Sequence, residues 1–324
     1  MKVFVTGGGG FLGQAIVRDL IADGHEVTTF ARGHYPRLRE MGATNLRGDI
    51  TDYAALVVAM EGHDACIHTA STVSMWGRWK DFVKTNIEGT HNVLEACRAT
   101  GVKRLIYTSS PSVVFGNEPL RGVDESQPYP KRHFAHYPRS KAMAEDMVLV
   151  ANSEELWTCA LRPHLIFGPG DQNLIPRLVE AHKKGQLKRI GDGQNRVDIT
   201  YVDNASEAHV LALKKLTGHD SPVAGNAYFL GQGPVKIWEF ADQVMKLHGQ
   251  APVTARIPFR VAYLIGAVCE IIYGALGLSK WPPMTRFTAM MLGLDHYYDH
   301  SAAKRDLGWE PKITIDEGLK RLRP

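Results

Sequence analysis

The chain has 324 residues, 44% of them hydrophobic, enough for one large or two modest domain cores. Its 38 basic and 34 acidic side chains are mixed along the sequence and leave a net charge of +4, so no basic block marks a nucleic-acid partner. Cys66, Cys97, Cys159 and Cys269 are scattered, with no CxxC and no metal-type pairing with histidine. Buried reduced thiols are therefore expected, and no metal site.

Met1 leads straight into an apolar run, without a leader-type stretch, and a cytoplasmic, reducing location is expected. Val3, Phe4 and Val5 read as a short buried strand. Gly7, Gly10 and Gly13 follow as G-x-x-G-x-x-G, and Ala15 to Ile21 reads as a helix with Ile16, Val17 and Leu20 apolar. A glycine turn between a strand and a helix lets the backbone approach a pyrophosphate at the helix N-terminus. Dinucleotide binding is the expectation from this stretch.

The second strand runs from Glu26 to Phe30 and ends in Ala31-Arg32-Gly33. An NAD-selective site places a carboxylate at this strand end for the ribose hydroxyls. Arg32 without a carboxylate suits a 2′-phosphate instead, so NADP(H) is expected over NAD(H), against the plainer reading of a surface arginine. Leu46 to Ile50 reads as a strand ending in an acid. Asp49 is either an acceptor for an adenine amino group or the cap of a helix over Asp52 to Met60. Asp64 to His68 is the fourth strand, with His68 read as a satisfied core histidine. The loop Thr69-Ala70-Ser71-Thr72 has small side chains that let backbone pass close to a ribose or nicotinamide.

Asp81 to Thr100 has the apolar spacing of a long helix, and Asn86 within it would need partners if buried. Val102 to Tyr107 is the fifth strand and runs into Thr108-Ser109-Ser110-Pro111-Ser112. Strands at regular spacing, each followed by a helix, imply an α/β fold with a Rossmann-type doubly wound parallel sheet. Ligands of such sheets bind at the carboxyl ends of the strands, where Ser110 stands. Tyr137 and Lys141 are four residues apart and share one helix face, with Pro138 fitting a first turn. A nearby ammonium is expected to lower the phenol from about 10 toward neutrality and make it a proton donor to a carbonyl that receives hydride.

At these residues the chain resembles the extended short-chain dehydrogenase/reductase superfamily. The matching runs are T-G-G-G-G-F-L-G at 6–13, G-D-I at 48–50, H-T-A-S at 68–71, Asn86, Y-T-S-S-P-S-V at 107–113 and Y-P-R-S-K at 137–141. L-R-P at 161–163, F-G-P-G-D at 167–171, Y-V-D-N at 201–204 and D-H-S-A-A-K-R-D-L-G-W-E-P at 299–311 continue it over essentially the whole chain. Within the superfamily the chain looks most like the 3β-hydroxysteroid and sterol-carboxylate dehydrogenase branch. G-H-Y-P at 33–36, Y-T-S-S-P-S-V at 107–113 and Y-L-I-G-A-V-C-E at 263–270 look like a subgroup of bacterial 2-alkyl-3-oxoalkanoate reductases of long-chain olefin synthesis. Some members of that subgroup have threonine where Ser110 stands, so either hydroxyl serves.

The resemblance implies Ser110, Tyr137 and Lys141 as the catalytic trio. It implies a cofactor site made by Gly7, Gly10, Phe11, Leu12, Gly13, Arg32, Asp49, Ile50, Thr69, Ala70, Pro163, Tyr137 and Lys141. Thr72, Trp76, Ser112 and His164 are the substrate candidates. The implied activity is NADPH-dependent reduction of a 3-oxo group on a bulky apolar substrate, a 2-alkyl-3-oxoalkanoate. The alternatives are a 3β-hydroxysteroid or sterol-4-carboxylate dehydrogenase and a nucleotide-sugar epimerase or dehydratase. A dehydratase usually wants a carboxylate beside Ser110, whereas Pro111, Ser112 and Val113 follow it. A non-catalytic NADP-binding regulator is the third reading, and it would be expected to lack a member of the trio.

Residues 1–166 are expected to form the dinucleotide-binding domain, with a strand returning near 225–231, and residues 167–324 mainly a smaller interleaved substrate domain. Predicted there are a helix over Leu174 to Lys184 and strands near Lys188 to Ile190, Asp198 to Val202 and Tyr228 to Leu230. Asp203, Asn204, Asp242 and Asp316 read as caps, and Trp309 as core. Val261 to Leu278 holds 18 residues with one charge, Glu270, which makes a membrane span improbable. The plain reading is a core helix. The preferred one gives one face to the domain and the other, within 257–294, to an apolar pocket or a peripheral membrane contact. A homodimer associated with other enzymes of its pathway is the expected assembly.

Overall fold

Apolar runs such as Val3-Phe4-Val5 lack polar alternation because both faces of their sheet are covered. In the computed structural model, which describes residues 1–278 and 280–322, seven parallel strands form that sheet. Their spatial order is Ala227–Leu230, Trp157–Pro163, Arg104–Thr108, Ala65–His68, Lys2–Thr6, Glu26–Ala31 and Thr44–Arg47. Val3 and Val5 point to one face and pack with Ile16, Val17 and Leu20 of helix Phe11–Ala22 and with Ala208 and Leu213 of helix Val202–Lys215. Phe4 points to the other, against Leu56, Val93, Leu94, Ala144 and Val148. Each of the valines, leucines, isoleucines and phenylalanines among them contributes about 1.5–3 kcal/mol on full burial. The connections reverse direction between Lys2–Thr6 and Ala65–His68, and the carboxyl ends of those two strands are where sheets of this kind bind their ligands.

The predicted elements hold, with shifted ends. The first helix begins at Phe11, immediately after the glycine turn. The third strand is Thr44–Arg47 and stops before Gly48, so Asp49 lies in the following turn. The long helix over 79–100 contains a wide-turn π segment, Val83–Glu88, centred on Asn86. The returning strand is Ala227–Leu230, paired with Trp157–Pro163.

A second sheet joins Val235–Lys236, Arg196–Val197, His296–Tyr298 and Leu120–Val123. Leu120–Val123 comes from the first half of the chain and was not foreseen, so the two parts interleave in both directions. Asp203 and Asn204 are not caps: they sit inside helix Val202–Lys215, whose cap position is Tyr201. Asp203 takes Arg18, while the buried Asn204 carboxamide ties down Lys312 and Ile313. Asp242 lies inside helix Ile237–Leu247 and accepts from Arg189 and the Val253 amide. The cap of the last helix is Thr314, in a reciprocal box with Glu317, and Asp316 is in its first turn. Trp309 is buried, and its Nε1 donates to Asn204 O at 2.9 Å.

The apolar stretch forms helix Phe259–Ala275. Only Ala262 and Gly266 are buried on it, so it is not a core helix. A Cβ on Gly266 would stand 2.5 Å from Thr285 C, which is how closely the neighbouring backbone approaches. Cys269, on the same helix, is only partly buried, unlike the other three thiols. Among the described residues no helix is long and apolar enough to cross a membrane.

Candidate active site

The glycine turn is built for close approach. Gly7 has φ +71°, and a Cβ there would meet Ala70 N at 2.6 Å. A Cβ on Gly13 would lie 2.3 Å from Gly7 O, so the turn and helix Phe11–Ala22 can pack this tightly only without side chains. No side chain caps that helix at Gly10, which leaves the amides of Phe11, Leu12 and Gly13 at an uncapped N-terminus. This cradle fits a dinucleotide pyrophosphate. Thr69 and Ala70 form its other wall: Thr69 Oγ1 donates to Thr6 O at 2.8 Å beside Gly7.

Strand Arg104–Thr108 delivers Ser110 to the same side of the sheet, and helix His136–Val150 delivers Tyr137 and Lys141. Pro138 is the third residue of that helix, where a missing N–H breaks no helical bond. Ser112 N and Ser112 Oγ both donate to Ser110 Oγ, at 3.2 and 2.9 Å. Ser112, expected to meet substrate, therefore orients Ser110 in this structure. Burial pushes the Tyr137 phenol up to about 12, with the adjacent Ser110 hydroxyl pulling the other way. Lys141 Nζ donates to Thr108 O at 2.6 Å and lies 4.0 Å from the Tyr107 ring centre. Burial lowers Lys141 to about 7, opposed by the charge of Glu145. The expectation of a phenol tuned down by Lys141 is thus corrected. The ammonium is turned to the strand end, and desolvation keeps the phenol protonated.

Asn86 joins these parts. Its Oδ1 accepts from Thr72 N at 2.7 Å and Ser71 Oγ at 3.1 Å, and its Nδ2 donates to Ser140 Oγ at 2.8 Å and Thr72 O at 3.2 Å. Ser140 Oγ in turn donates to Tyr137 O. One buried carboxamide therefore fixes the Thr69–Thr72 loop against the helix that carries Tyr137, and the π turn aims it there. Thr90 donates to Asn86 O, so its oxygen accepts from His68 Nε2–H, while Thr6 Oγ1 donates to His68 Nδ1. Burial then holds this satisfied core histidine neutral, lowered to about 3.

Beneath Lys141, Glu145 pairs with Arg162 at 2.6 Å and accepts from Tyr129 OH at 2.7 Å, all of it buried or nearly so. At the far end of the cradle, Arg32 is exposed, and its carbonyl accepts from Arg47 Nε at 3.1 Å. The Tyr35 ring covers Gly9 and Gly33. Asp49 does not cap the third helix, which Asp52 does through Ala55 N. Asp49 accepts from Thr51 N and Oγ1. Burial raises it, but those bonds and the Arg32 charge bring it below its ordinary value. Ile50 is buried against Gly89.

The other candidates have partners of their own. Trp76 Nε1 donates to Leu278 O at 2.9 Å and its ring meets Tyr273 edge-on, so it faces the apolar helix. Pro163 closes its strand opposite Leu230. His164 is buried and donates to His296 Nδ1 at 2.7 Å, because His296 gives its own Nε2–H to Met291 O. That bond engages the Nε2 of His164 within the protein. Sequence reading missed Ser140, Arg47 and Tyr35. The signal for Arg47 was available: it ends the third strand opposite Ala31, next to Arg32.

Residues 4–259 match the 3-beta hydroxysteroid dehydrogenase/isomerase family. A 2-alkyl-3-oxoalkanoate reductase of Stenotrophomonas maltophilia is 45% identical over all of this chain and 98% of its own length. Another from Shewanella oneidensis is 43% identical over 99% of this chain and 85% of its own. The mouse sterol-4-alpha-carboxylate 3-dehydrogenase, decarboxylating, is 33% identical over 99% of this chain and 89% of its own. Among solved structures, a Thermus thermophilus UDP-glucose 4-epimerase in complex with NAD superposes with a TM-score of 0.75 at 25% identity, over 100% and 97% of the two chains. A protein described as gox2253 reaches 0.81 at 24% identity, over 99% and 96%, and shares the fold. With its glycine cradle, Tyr137 beside Ser110 and Lys141 on the Thr108 carbonyl, this chain belongs to the 3-beta hydroxysteroid dehydrogenase/isomerase family and is an NAD(P)-dependent oxidoreductase of the extended short-chain dehydrogenase/reductase type.

Proposed function

We propose that the protein reduces the 3-oxo group of a bulky apolar 2-alkyl-3-oxoalkanoate to the 3-hydroxy acid, with NADPH as the preferred cofactor. The observation that carries this is the Tyr137 phenol, buried and protonated beside the Ser110 hydroxyl. A carbonyl that accepts hydride needs a proton at oxygen, and a phenol held in its acid form supplies one. A bound nicotinamide nucleotide supplies the hydride. Ser110, fixed by two bonds from Ser112, orients the carbonyl oxygen toward Tyr137. Lys141, with Glu145 one turn away, holds the Thr108 carbonyl and so fixes the end of the strand that carries Ser110. The Gly7 to Gly13 cradle holds the pyrophosphate, and Arg32 with Arg47 offers two guanidinium groups to a 2′-phosphate.

A second reading is oxidation at C3 of a sterol-4-carboxylate, favoured by the likeness to the mouse enzyme. The two substrate names share one feature, an oxygen-bearing carbon next to a carboxylated carbon. The experiment is product analysis by mass spectrometry after incubation with NADPH and either a long-chain 2-alkyl-3-oxo acid or a 3-oxosteroid. The reading expects the 3-hydroxy acid as the main product. A 3-hydroxysteroid formed faster, with the acyl substrate untouched, overturns it in favour of the second.

A further inference from the structure

Helix Phe259–Ala275 and the turn after it leave Val261, Leu264, Ile265, Val268, Ile271, Ile272, Leu276 and Leu278 exposed, with Leu264 at 65% and Ile271 at 71%. At 3.6 residues per turn, those on the helix and at its end lie within an arc of about 140°. The opposite side carries the contacts to the rest of the protein. Ala262 and Gly266 pack on the next segment, and Glu270 takes Arg286 through Nη2 at 2.6 Å, Nε at 2.7 Å and the backbone amide at 2.7 Å. The exposed face is thus wholly aliphatic and carries no hydrogen-bonding side chain.

Its ends are cationic. Arg256 and Arg260 are exposed at the start and Lys280 past the end, while the single acid of the helix is neutralised by Arg286. Aromatic rings cluster at the C-terminal end: Trp76 against Tyr273, and Trp281 under the Arg177 guanidinium at 4.1 Å. We propose that this face rests in the interfacial region of an anionic lipid bilayer, the aliphatic row dipping among the acyl chains and the cations meeting headgroup phosphates. Two observations select a bilayer over a second copy of the chain. A strip about 24 Å long and about 10 Å wide falls well short of the roughly 800 Å² per partner of a stable interface. It also lacks the aromatic and arginine anchors that sit at the centre of protein interfaces.

The placement has a consequence for substrate entry. Trp76 links Leu278 and Tyr273 to the loop that Asn86 holds at Thr72. An apolar molecule dissolved in the bilayer therefore meets this helix next to the loop bordering the catalytic trio.

The test is co-sedimentation of the full chain with vesicles of phosphatidylcholine alone and of phosphatidylcholine mixed with phosphatidylglycerol. This assay reads binding without turnover, so its outcome stands apart from the substrate reading. The proposal expects binding to the anionic vesicles that weakens with salt, and about tenfold or greater loss in Leu264→Glu with Ile271→Glu at an unchanged thermal melt. Arg256→Glu with Arg260→Glu, which leaves the aliphatic row intact, is expected to weaken binding to the anionic vesicles only. Wild type that stays in the supernatant with both vesicles overturns the proposal, as does equal binding to both compositions. So does a variant that breaks a dimer seen by light scattering in protein that ignores vesicles, which assigns the face to a second copy.

Discussion

The Lys141 ammonium donates to the Thr108 carbonyl at 2.6 Å, turned toward the end of the strand that carries Ser110. Burial lowers it to about 7, and the nearby Glu145 carboxylate works against that lowering. If the charged form is the working one, kcat/KM for reduction falls as pH rises through about 7, because kcat/KM reports the free enzyme. Glu145→Gln removes the opposing charge, so the same limb moves to lower pH. An identical profile in wild type and variant would remove Glu145 from the tuning of Lys141. The variant also leaves Arg162 buried and unpaired, at a cost of about 3–5 kcal/mol, and its folding is checked by thermal melt.

Asn86→Ala strips partners from Thr72 N, Ser71 Oγ and Ser140 Oγ at once. Each buried group left without a bond costs about 1–3 kcal/mol, so the expected loss in urea unfolding is at least that of one group. The loop and the Tyr137 helix lose their common tie, and kcat falls more than cofactor affinity. A variant with wild-type stability and kcat contradicts the role given to Asn86.

Arg32 and Arg47 meet at the ends of adjacent strands. A charge-assisted contact to a phosphate contributes about 1.5–3 kcal/mol, or roughly 10- to 150-fold in affinity. Arg32→Glu is expected to shrink the ratio of kcat/KM for NADPH over NADH by that order, and Arg47→Glu to shrink it less. Steady-state kinetics with both cofactors checks this. A wild type that uses the two equally refutes the phosphate reading of this strand end.

Acid should weaken the fold through its buried histidines. Burial lowers His68 to about 3 and His209 and His296 to about 4, all from an ordinary value of 6.5. Below about 6.5 the unfolded chain takes up protons that the folded one refuses, so stability is fully present above that pH and is lost as pH falls toward about 4. His296 must also keep a bare Nδ1 to accept from His164. Urea unfolding at about pH 7.5 and about pH 5 tests the sign. Equal or greater stability at the lower pH contradicts it.

Much of this was legible in the sequence, and the reasons differ by region. Val3-Phe4-Val5 followed by the glycine turn encodes strand, turn and helix within a few residues, so the cradle and the sheet could be read locally. The spacing of Tyr137 and Lys141 placed both on one helix face, and the structure has them there. What pairs over long range was not legible. The aim of Lys141 at Thr108 depends on a strand end 33 residues away, and the partners of Asn86 come from a loop and a second helix. Leu120–Val123 joins a sheet through His296–Tyr298, whose register no local pattern records. Asp203 and Asn204 resemble caps by type, but the cap position is Tyr201, two residues before Asp203 and three before Asn204.

Tyr137 is the proton donor of the proposed reduction. In Tyr137→Phe the ring and its packing stay while the hydroxyl is lost. The decisive measurement is the rate of NADPH oxidation with a long-chain 2-alkyl-3-oxo acid in wild type and variant, with NADPH binding titrated in each. Turnover should drop roughly 10²–10⁴-fold while cofactor binding survives. Turnover that stays near the wild-type rate would place the proton donor elsewhere and contradict the account.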